Sequence, residues 1–267
     1  MSERSSHEDS FEKHRRYLLS VAYRMMGSVA DAEDVVQEAF IRWRSVDRTS
    51  VRNPKAFLSM TVSRLCLDAL QSARARRETY VGPWLPEPVL GEGALRVDDA
   101  SELAQDISMA LMMALERSEA ACRQLVSRAR AHVQAARPRY TPSRDEAERV
   151  VRAFGAAVLT GDIEALQAVL SENAVLYPDG GGRVLSALRP IFGRDRVVRF
   201  LLGVTKKFPL GESARFSEEM INGVPGFYVE EEGRPVQTMA FDIRDGRIAC
   251  VYVVRNPDKL IRLASPM

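Results

Sequence analysis

The sequence predicts a multidomain chain: an all-α N-terminal region, followed after proline-marked boundaries by a separate α+β domain. Three observations carry this. Apolar residues recur at helical spacing from Phe11 to Ala73 and again from Leu103. Prolines and glycines crowd Val81-Gly-Pro-Trp-Leu-Pro-Glu-Pro88, and Pro138 and Pro142 mark a second break. Beyond Ser143 the pattern turns to two helices, a strand, a helix and then strand-like runs separated by turn dipeptides. A chain of 267 residues has room for two or three domains.

Met1 to Ser10 is polar and predicts a frayed end. Phe11, Leu18, Leu19, Ala22 and Met25/Met26 give a helix stopped by Gly27. The next helix, Asp31 to Trp43, sets Val35, Val36, Ala39, Phe40 and Trp43 on one face and acids on the others. Ser28 or Asp31 caps it, and its early acids suit the positive end of the helix dipole. Asn53-Pro54 closes a short loop, because the residue before proline disfavours helix. A third helix runs from Ala56 to Ala73, with Arg74, Arg76 and Arg77 at its end. The expected boundaries are 1–80 for the helical region, 81–100 for a stiff proline-rich linker, 101–137 for a second helical region and 143–267 for the α+β domain.

The order of Tyr17-Leu-Leu-Ser-Val-Ala-Tyr-Arg-Met-Met-Gly27, Asp31-Ala-Glu-Asp-Val-Val-Gln-Glu-Ala-Phe-Ile-Arg-Trp43 and Arg52-Asn-Pro-Lys-Ala-Phe-Leu58 resembles domain two of an extracytoplasmic-function sigma factor. The resemblance implies that Asp31, Asp34, Gln37, Glu38, Arg42 and Trp43 meet the clamp helices of core RNA polymerase. It also implies that Arg52, Asn53, Lys55, Arg64, Arg74, Arg76 and Arg77 meet a melted minus-ten promoter strand. Such a reader needs cations for phosphates and a pocket for an extruded base. Without the resemblance, the same charges read as solvated helix faces.

Ser118 to His132 resembles the recognition helix of sigma domain four, which implies promoter contacts by Arg123, Gln124 and Arg128. The chain departs from the family here, since Glu116-Arg117 runs almost directly into Ser118-Glu119 where the family has further helices. The expectation is an abbreviated domain four. The Trp84-Leu85-Pro86-Glu87-Pro88 string, Asp179-Gly180-Gly181-Gly182 and Asn256-Pro-Asp-Lys-Leu260 resemble features of one subgroup that carries a third, C-terminal domain. That likeness implies an interdomain role for Trp84 to Pro88 and for Asp179 to Gly182. Read from composition alone, the first string is a spacer and the glycines a flexible turn.

The α+β pattern from Ser143 has Glu146–Leu159, Asp162–Leu170 and Gly193–Leu202 as helices, the last with Arg194, Arg196 and Arg199 outward. Strands are expected at Ala174–Tyr177, Phe216–Ile221, Gly226–Glu231, Val236–Ile243 and Ile248–Val254, with hairpin turns at Asn222-Gly223 and Asp245-Gly246. This order resembles a SnoaL-like cone, a curved antiparallel sheet with helices around a pocket. Enzymes of that fold use an Asp–His pair, but His7, His14 and His132 all lie outside the domain. Asp179, Tyr177 and Asp242 are the remaining candidates for acid–base work, so an enzymatic role is the less favoured reading.

Net charge is +2, which excludes a generic polyanion binder, so any nucleic-acid surface is local. Cys66, Cys122 and Cys250 show no metal spacing and read as reduced thiols. No cofactor and no metal are expected. No run reaches membrane-spanning length, and the polar start is unlike a signal peptide, so a cytoplasmic bacterial protein is expected. The leading expectation is a sigma-like regulator whose partners are core polymerase and promoter DNA. The alternatives are a repurposed protein whose cone binds or converts a small molecule, as a cyclase or isomerase of a natural-product pathway, and a decoy that occupies polymerase.

Overall fold

The computed structural model describes residues 2–47, 51–78, 80–91, 143–209 and 211–264, with side chains from residue 10 onward and not for 71–78 or 264. These residues fall into two compact units, 2–78 and 80–91 with 143–264.

Among the described residues the first unit has three helices: α1 (Ser2–Met26), α2 (Val29–Arg44) and α3 (Pro54–Glu78). The end expected to fray is helical back to Ser2. Gly27 closes α1 at φ 68°, a left-handed conformation that glycine adopts without Cβ strain. Ser28 caps α2, its hydroxyl accepting the Asp31 N–H. Ala32, Val35, Val36, Ala39 and Trp43 of α2, Phe11, Leu18 and Met26 of α1 and Leu58 and Val62 of α3 are all buried. Phe11 meets Phe40 at a ring-centroid distance of 5.0 Å, and Trp43 meets Phe57 at 5.7 Å.

The second unit opens with α4 (Arg144–Thr160), capped by Ser143 and closed by left-handed Gly161. Asp162 caps α5 (Ile163–Val169) through the Ala165 N–H. Then come β1 (Leu170–Asp179), β2 (Ile191–Phe192), α6 (Arg194–Lys207), β3 (Arg215–Ile221), β4 (Val224–Glu231), β5 (Arg234–Arg244), β6 (Arg247–Val254) and the short α7 (Pro257–Leu260). The sheet order is β2-β1-β6-β5-β4-β3. It is mixed rather than wholly antiparallel, because β1 runs parallel to β6. The meander β3–β6 turns three times, at Asn222-Gly223, Glu232-Gly233 and Asp245-Gly246, and all six residues have positive φ. That is the turn geometry that matches strand twist, and the middle turn was not anticipated because it carries Glu where Asn or Asp is usual. Bulges at Val229/Glu230 and Asp242/Ile243 break the ladder, and such breaks bend a sheet.

One face of the sheet packs on α4, α5 and α6, with Val151, Phe154, Leu166, Val198, Leu176 and Phe241 in the core. Phe241 contacts Phe154 and Phe227 edge-on at 4.9 and 5.9 Å. A Cβ on Gly155 would stand 2.7 Å from Phe227 Cζ, so the helix lies directly on that ring. Arg196 and Arg199 are exposed as expected, but Arg194 is half-buried and its Nε lacks a hydrogen-bond partner. Because side chains alternate across a strand, Tyr177, Tyr252 and Val254 face the other way and meet Leu85 and Leu260.

Candidate functional site

In the helical unit, burial of one face of α2 leaves Glu33, Asp34 and Gln37 exposed, with Asp31 and Glu38 half-exposed. Arg42 donates to Glu38 at 2.9 Å, an exposed pair one turn apart. Trp43 does not belong to this surface. It is wholly buried, so its part is to seat α2 on α3. At the start of α3, Arg52 and Asn53 are exposed, and Asn53 Oδ1 accepts the Ala56 N–H at 3.1 Å. Asn53 is therefore a helix cap, a role that the expectation of a base contact leaves out. Lys55 Nζ sits 4.3 Å from the centre of the Tyr17 ring, a cation–π contact between α3 and α1. Arg64 is exposed. Arg74, Arg76 and Arg77 lie on the α3 backbone with side chains outside the described set, and Arg123, Gln124 and Arg128 lie outside the described residues. Cys66 is fully buried, and burial pushes its thiol up to about 12.

In the second unit the proline-rich stretch is not a free spacer; it is docked along the domain. Tyr80 donates its hydroxyl proton to Asp179 Oδ1 at 2.5 Å, and Leu85 N–H donates to Asp179 Oδ2 at 2.9 Å. Lys259 Nζ donates to the same Oδ2 at 2.7 Å and to the Leu85 carbonyl. The ammonium also lies 4.8 Å from the Tyr80 ring centre and 4.4 Å from that of Trp84. Asn256 Nδ2 donates to the Tyr80 oxygen at 2.9 Å. Burial, and then the hydrogen bond to Asp179, raise the Tyr80 phenol well above its ordinary range.

Farther along, Asn222 holds the stretch by three bonds: its Oδ1 accepts from Val89 N, its Nδ2 donates to the Glu87 carbonyl, and its own N–H donates to the Val89 carbonyl. Gly91 N–H then donates to Met220 O, and Leu90 bridges Ile221 as a fragment of a further antiparallel strand. Leu85 and Pro88 are buried, while Pro86 is exposed. The glycines after Asp179 permit the approach. Gly181 and Gly182 have φ 59° and 71°, and a Cβ on Gly181 would stand 2.9 Å from the Tyr80 oxygen. On Gly182 it would stand 3.0 Å from Val81 Cβ.

These contacts account for the three side chains offered for acid–base work. Asp179 is fully buried and bound on both oxygens, not on a flexible turn. Tyr177 stacks on Tyr252 at 5.5 Å. Asp242 is taken by Arg244 at 2.6 Å. Two surface cavities, about 280 Å³ beside Arg144 and Glu218 and about 470 Å³ beside Leu188 and Phe192, include none of the three. Among the described residues no cluster of His, Cys, Asp and Glu could hold a metal, and no helix is long and apolar enough to cross a membrane.

Sequence reasoning missed Tyr80 and the role of Lys259. Tyr80 precedes the proline run without any pattern of its own. The only signal for Lys259 was its place in the Asn256-Pro-Asp-Lys-Leu260 string.

Residues 10–76 match the family model for sigma-70 region 2. The chain is 38% identical to the ECF RNA polymerase sigma factor SigJ of Mycobacterium tuberculosis, over 93% of this chain and 91% of that protein. It is 27% identical to the probable ECF RNA polymerase sigma factor SigI of the same organism, over 97% of each. The crystal structure of SigJ matches with a TM-score of 0.70 at 32% identity, covering 97% of this chain and 99% of that one.

Proposed function

The chain belongs to the extracytoplasmic-function sigma factors of RNA polymerase, and from that premise we propose that its helical unit binds core polymerase through α2 and the minus-ten strand through the start of α3. It is a sigma-type transcription regulator, and the partners of such a protein are RNA polymerase and promoter DNA in general. One observation carries the finer reading: α2 is divided lengthwise, with Trp43 and its neighbours sealed in the core and Asp31, Asp34, Gln37 and Glu38 on the outer side. Arg52 and Arg64 stand exposed near the start and middle of α3, available to strand phosphates. Arg74, Arg76 and Arg77 extend the same proposal along α3, and Arg123, Gln124 and Arg128 belong to the proposed abbreviated domain four. The protein works in the cytoplasm, where its polymerase is.

The second unit tunes this activity through the docked stretch Tyr80–Gly91, the segment that follows the helical unit in the chain. A small-molecule role is the less supported reading, because Phe154, Phe227 and Phe241 fill the space between helix and sheet.

The test mixes purified protein with bacterial core polymerase and a minus-ten fork-junction DNA and follows co-elution. All three are expected together, and charge reversal by Asp34→Lys with Glu38→Lys abolishes polymerase binding. Unchanged affinity in that variant would sink the assignment of α2. Polymerase binding without DNA would instead support the decoy.

A further inference from the structure

We propose that the outer face of α6 is a second DNA contact, one that lies along the phosphate backbone of duplex DNA without reading its sequence. This contact rests on the sigma assignment, which brings promoter DNA to the protein. Val197, Val198 and Leu201 bury one side of α6. At 3.6 residues per turn, Arg196, Arg199, Gly203, Lys206 and Lys207 fall within one arc of roughly 100° on the opposite side. All five are exposed. The helix carries five cations and a single acid, against a net charge of +2 for the whole chain, so the remainder of the chain is slightly acidic.

On other helices, exposed cations are matched by acids one turn away: Arg42 with Glu38, and Arg144 and Arg152 with Glu148. On α6 that pattern is broken. Asp195 turns its Oδ1 to Gln167 Nε2 at 3.2 Å, and Arg199 Nε donates to the Asp195 carbonyl rather than to its carboxylate. Among the described residues no carboxylate forms an ion pair with Arg196, Arg199, Lys206 or Lys207. Lys206 and Lys207 suit the negative end of the helix dipole, but Arg196 stands in the first turn, at the positive end, where a cation is unfavourable. A row of like charges repels itself, and a polyanion laid along it relieves that repulsion.

Gly203 sits in the middle of the row. Glycine weakens a helix interior, and no neighbour demands it here, since a Cβ would meet nothing within 4 Å. Without a side chain at that position the centre of the row stays low, so a broad rod can lie close to the helix. From Arg196 to Lys207 the row is roughly 16 Å long, a length over which duplex DNA presents roughly ten phosphates. A single strand is the weaker fit. Proteins that hold unpaired bases interleave cations with exposed rings, whereas Phe200 is half-buried and the Phe208 ring centre lies 5.6 Å from Lys207 Nζ. An acidic protein is also the weaker fit, because interfaces between proteins centre on desolvated aromatic or apolar anchors, and the row has none.

The experiment titrates the full chain into a short fluorescein-labelled duplex of arbitrary sequence, without polymerase, and reads anisotropy between about 50 and 200 mM salt. Arg196→Gln, Arg199→Gln, Lys206→Gln and Lys207→Gln together are expected to weaken binding about tenfold at the lower salt. The same variant is expected to make the slope of log affinity against log salt less steep by roughly three to four. Removing paired cations instead, by Arg144→Gln with Arg152→Gln, is expected to change neither. Gly203→Gln covers a four-residue variant that does not fold: it adds bulk without charge, favours helix and is expected to weaken binding about threefold. Undiminished affinity in either α6 variant overturns the proposal, and so does an equal loss in the α4 variant. Polyglutamate that displaces the labelled duplex as well as unlabelled duplex does assigns the face to an acidic protein and overturns it too. Co-elution of the same variants with core polymerase reads the sigma assignment separately, because that binding needs no duplex.

Discussion

Asp179 and Lys259 form an ion pair of 2.7 Å in which the carboxylate side chain is wholly buried and the lysine side chain is 8% exposed. Removing both charges from water is costly, and the pair is stable because each partner has further bonds: Tyr80 and Leu85 on the acid, the Leu85 carbonyl and two aromatic rings on the base. Breaking one side leaves an uncompensated buried charge. Asp179→Ala is expected to lower the stability of the second unit by about 3–5 kcal/mol. Adding Lys259→Met should restore part of the loss. Urea denaturation of both variants decides this, and simple additivity would contradict it.

Trp43→Ala is expected to destabilise the helical unit by about 3–5 kcal/mol, the usual cost of emptying a buried aromatic site. Asp34→Lys should leave stability within about 0.5 kcal/mol, as exposed substitutions do. Thermal melts of the two variants beside polymerase binding would separate a seat from a contact.

Asn53 has a structural duty that must be separated from any contact with a base. Asn53→Ala is expected to cost about 1 kcal/mol through the lost cap, whereas Asn53→Asp retains an acceptor for the Ala56 N–H. If Asn53 also meets DNA, Asn53→Asp should keep the melting temperature and weaken fork-junction binding. Equal DNA affinity would assign Asn53 to the cap alone.

Gly181→Ala places a Cβ 2.6 Å from Asn256 Cγ at a φ of 59°. A loss of about 1–3 kcal/mol is expected from the left-handed backbone alone. The docked stretch should loosen, which faster amide exchange at Leu85 and Val89 would report.

Alkaline pH should weaken both units. The Cys66 thiol ionises near ~8.5 when unfolded, whereas burial pushes it up to about 12 in the native state. Above pH ~8.5 the folded chain binds more protons, so stability falls with rising pH until about pH 12, by at most about 1.4 kcal/mol per pH unit. Tyr80 acts in the same direction, from pH ~10 upward, because its native phenol is raised. Cys66→Ala should reduce the slope of the first part of the profile, and Tyr80→Phe only a share of the second, where Tyr228 and Tyr252 are also raised by burial. In a Cys122→Ser, Cys250→Ser background, Cys66 should resist alkylation at pH 8 until the protein unfolds.

The helices of the first unit were legible because one period and clear stops mark them: Ser28, Gly27 and Asn53-Pro54 are local signals that no tertiary contact overrides. The meander was legible for the same reason at Asn222-Gly223 and Asp245-Gly246. What stayed hidden was non-local. The parallel pairing of β1 with β6 leaves no mark in either strand, and β2 is two residues long. The helical spacing already set Trp43 on the apolar face, where the structure buries it; only the family resemblance placed it among the polymerase contacts. Asp179 looks catalytic or mobile in the sequence because its partners, Tyr80 and Lys259, come from either end of a long stretch of chain.

That separation also orders events on the ribosome. The three helices are complete once Glu78 has been translated, and they can pack with contacts already made. Tyr80 and Leu85 emerge next, but the lysine that holds them is not polymerised until position 259. At roughly 5–20 residues per second, roughly 10–35 s pass between the two. During each round of synthesis the N-terminal helices are finished while the segment behind them is still unclamped.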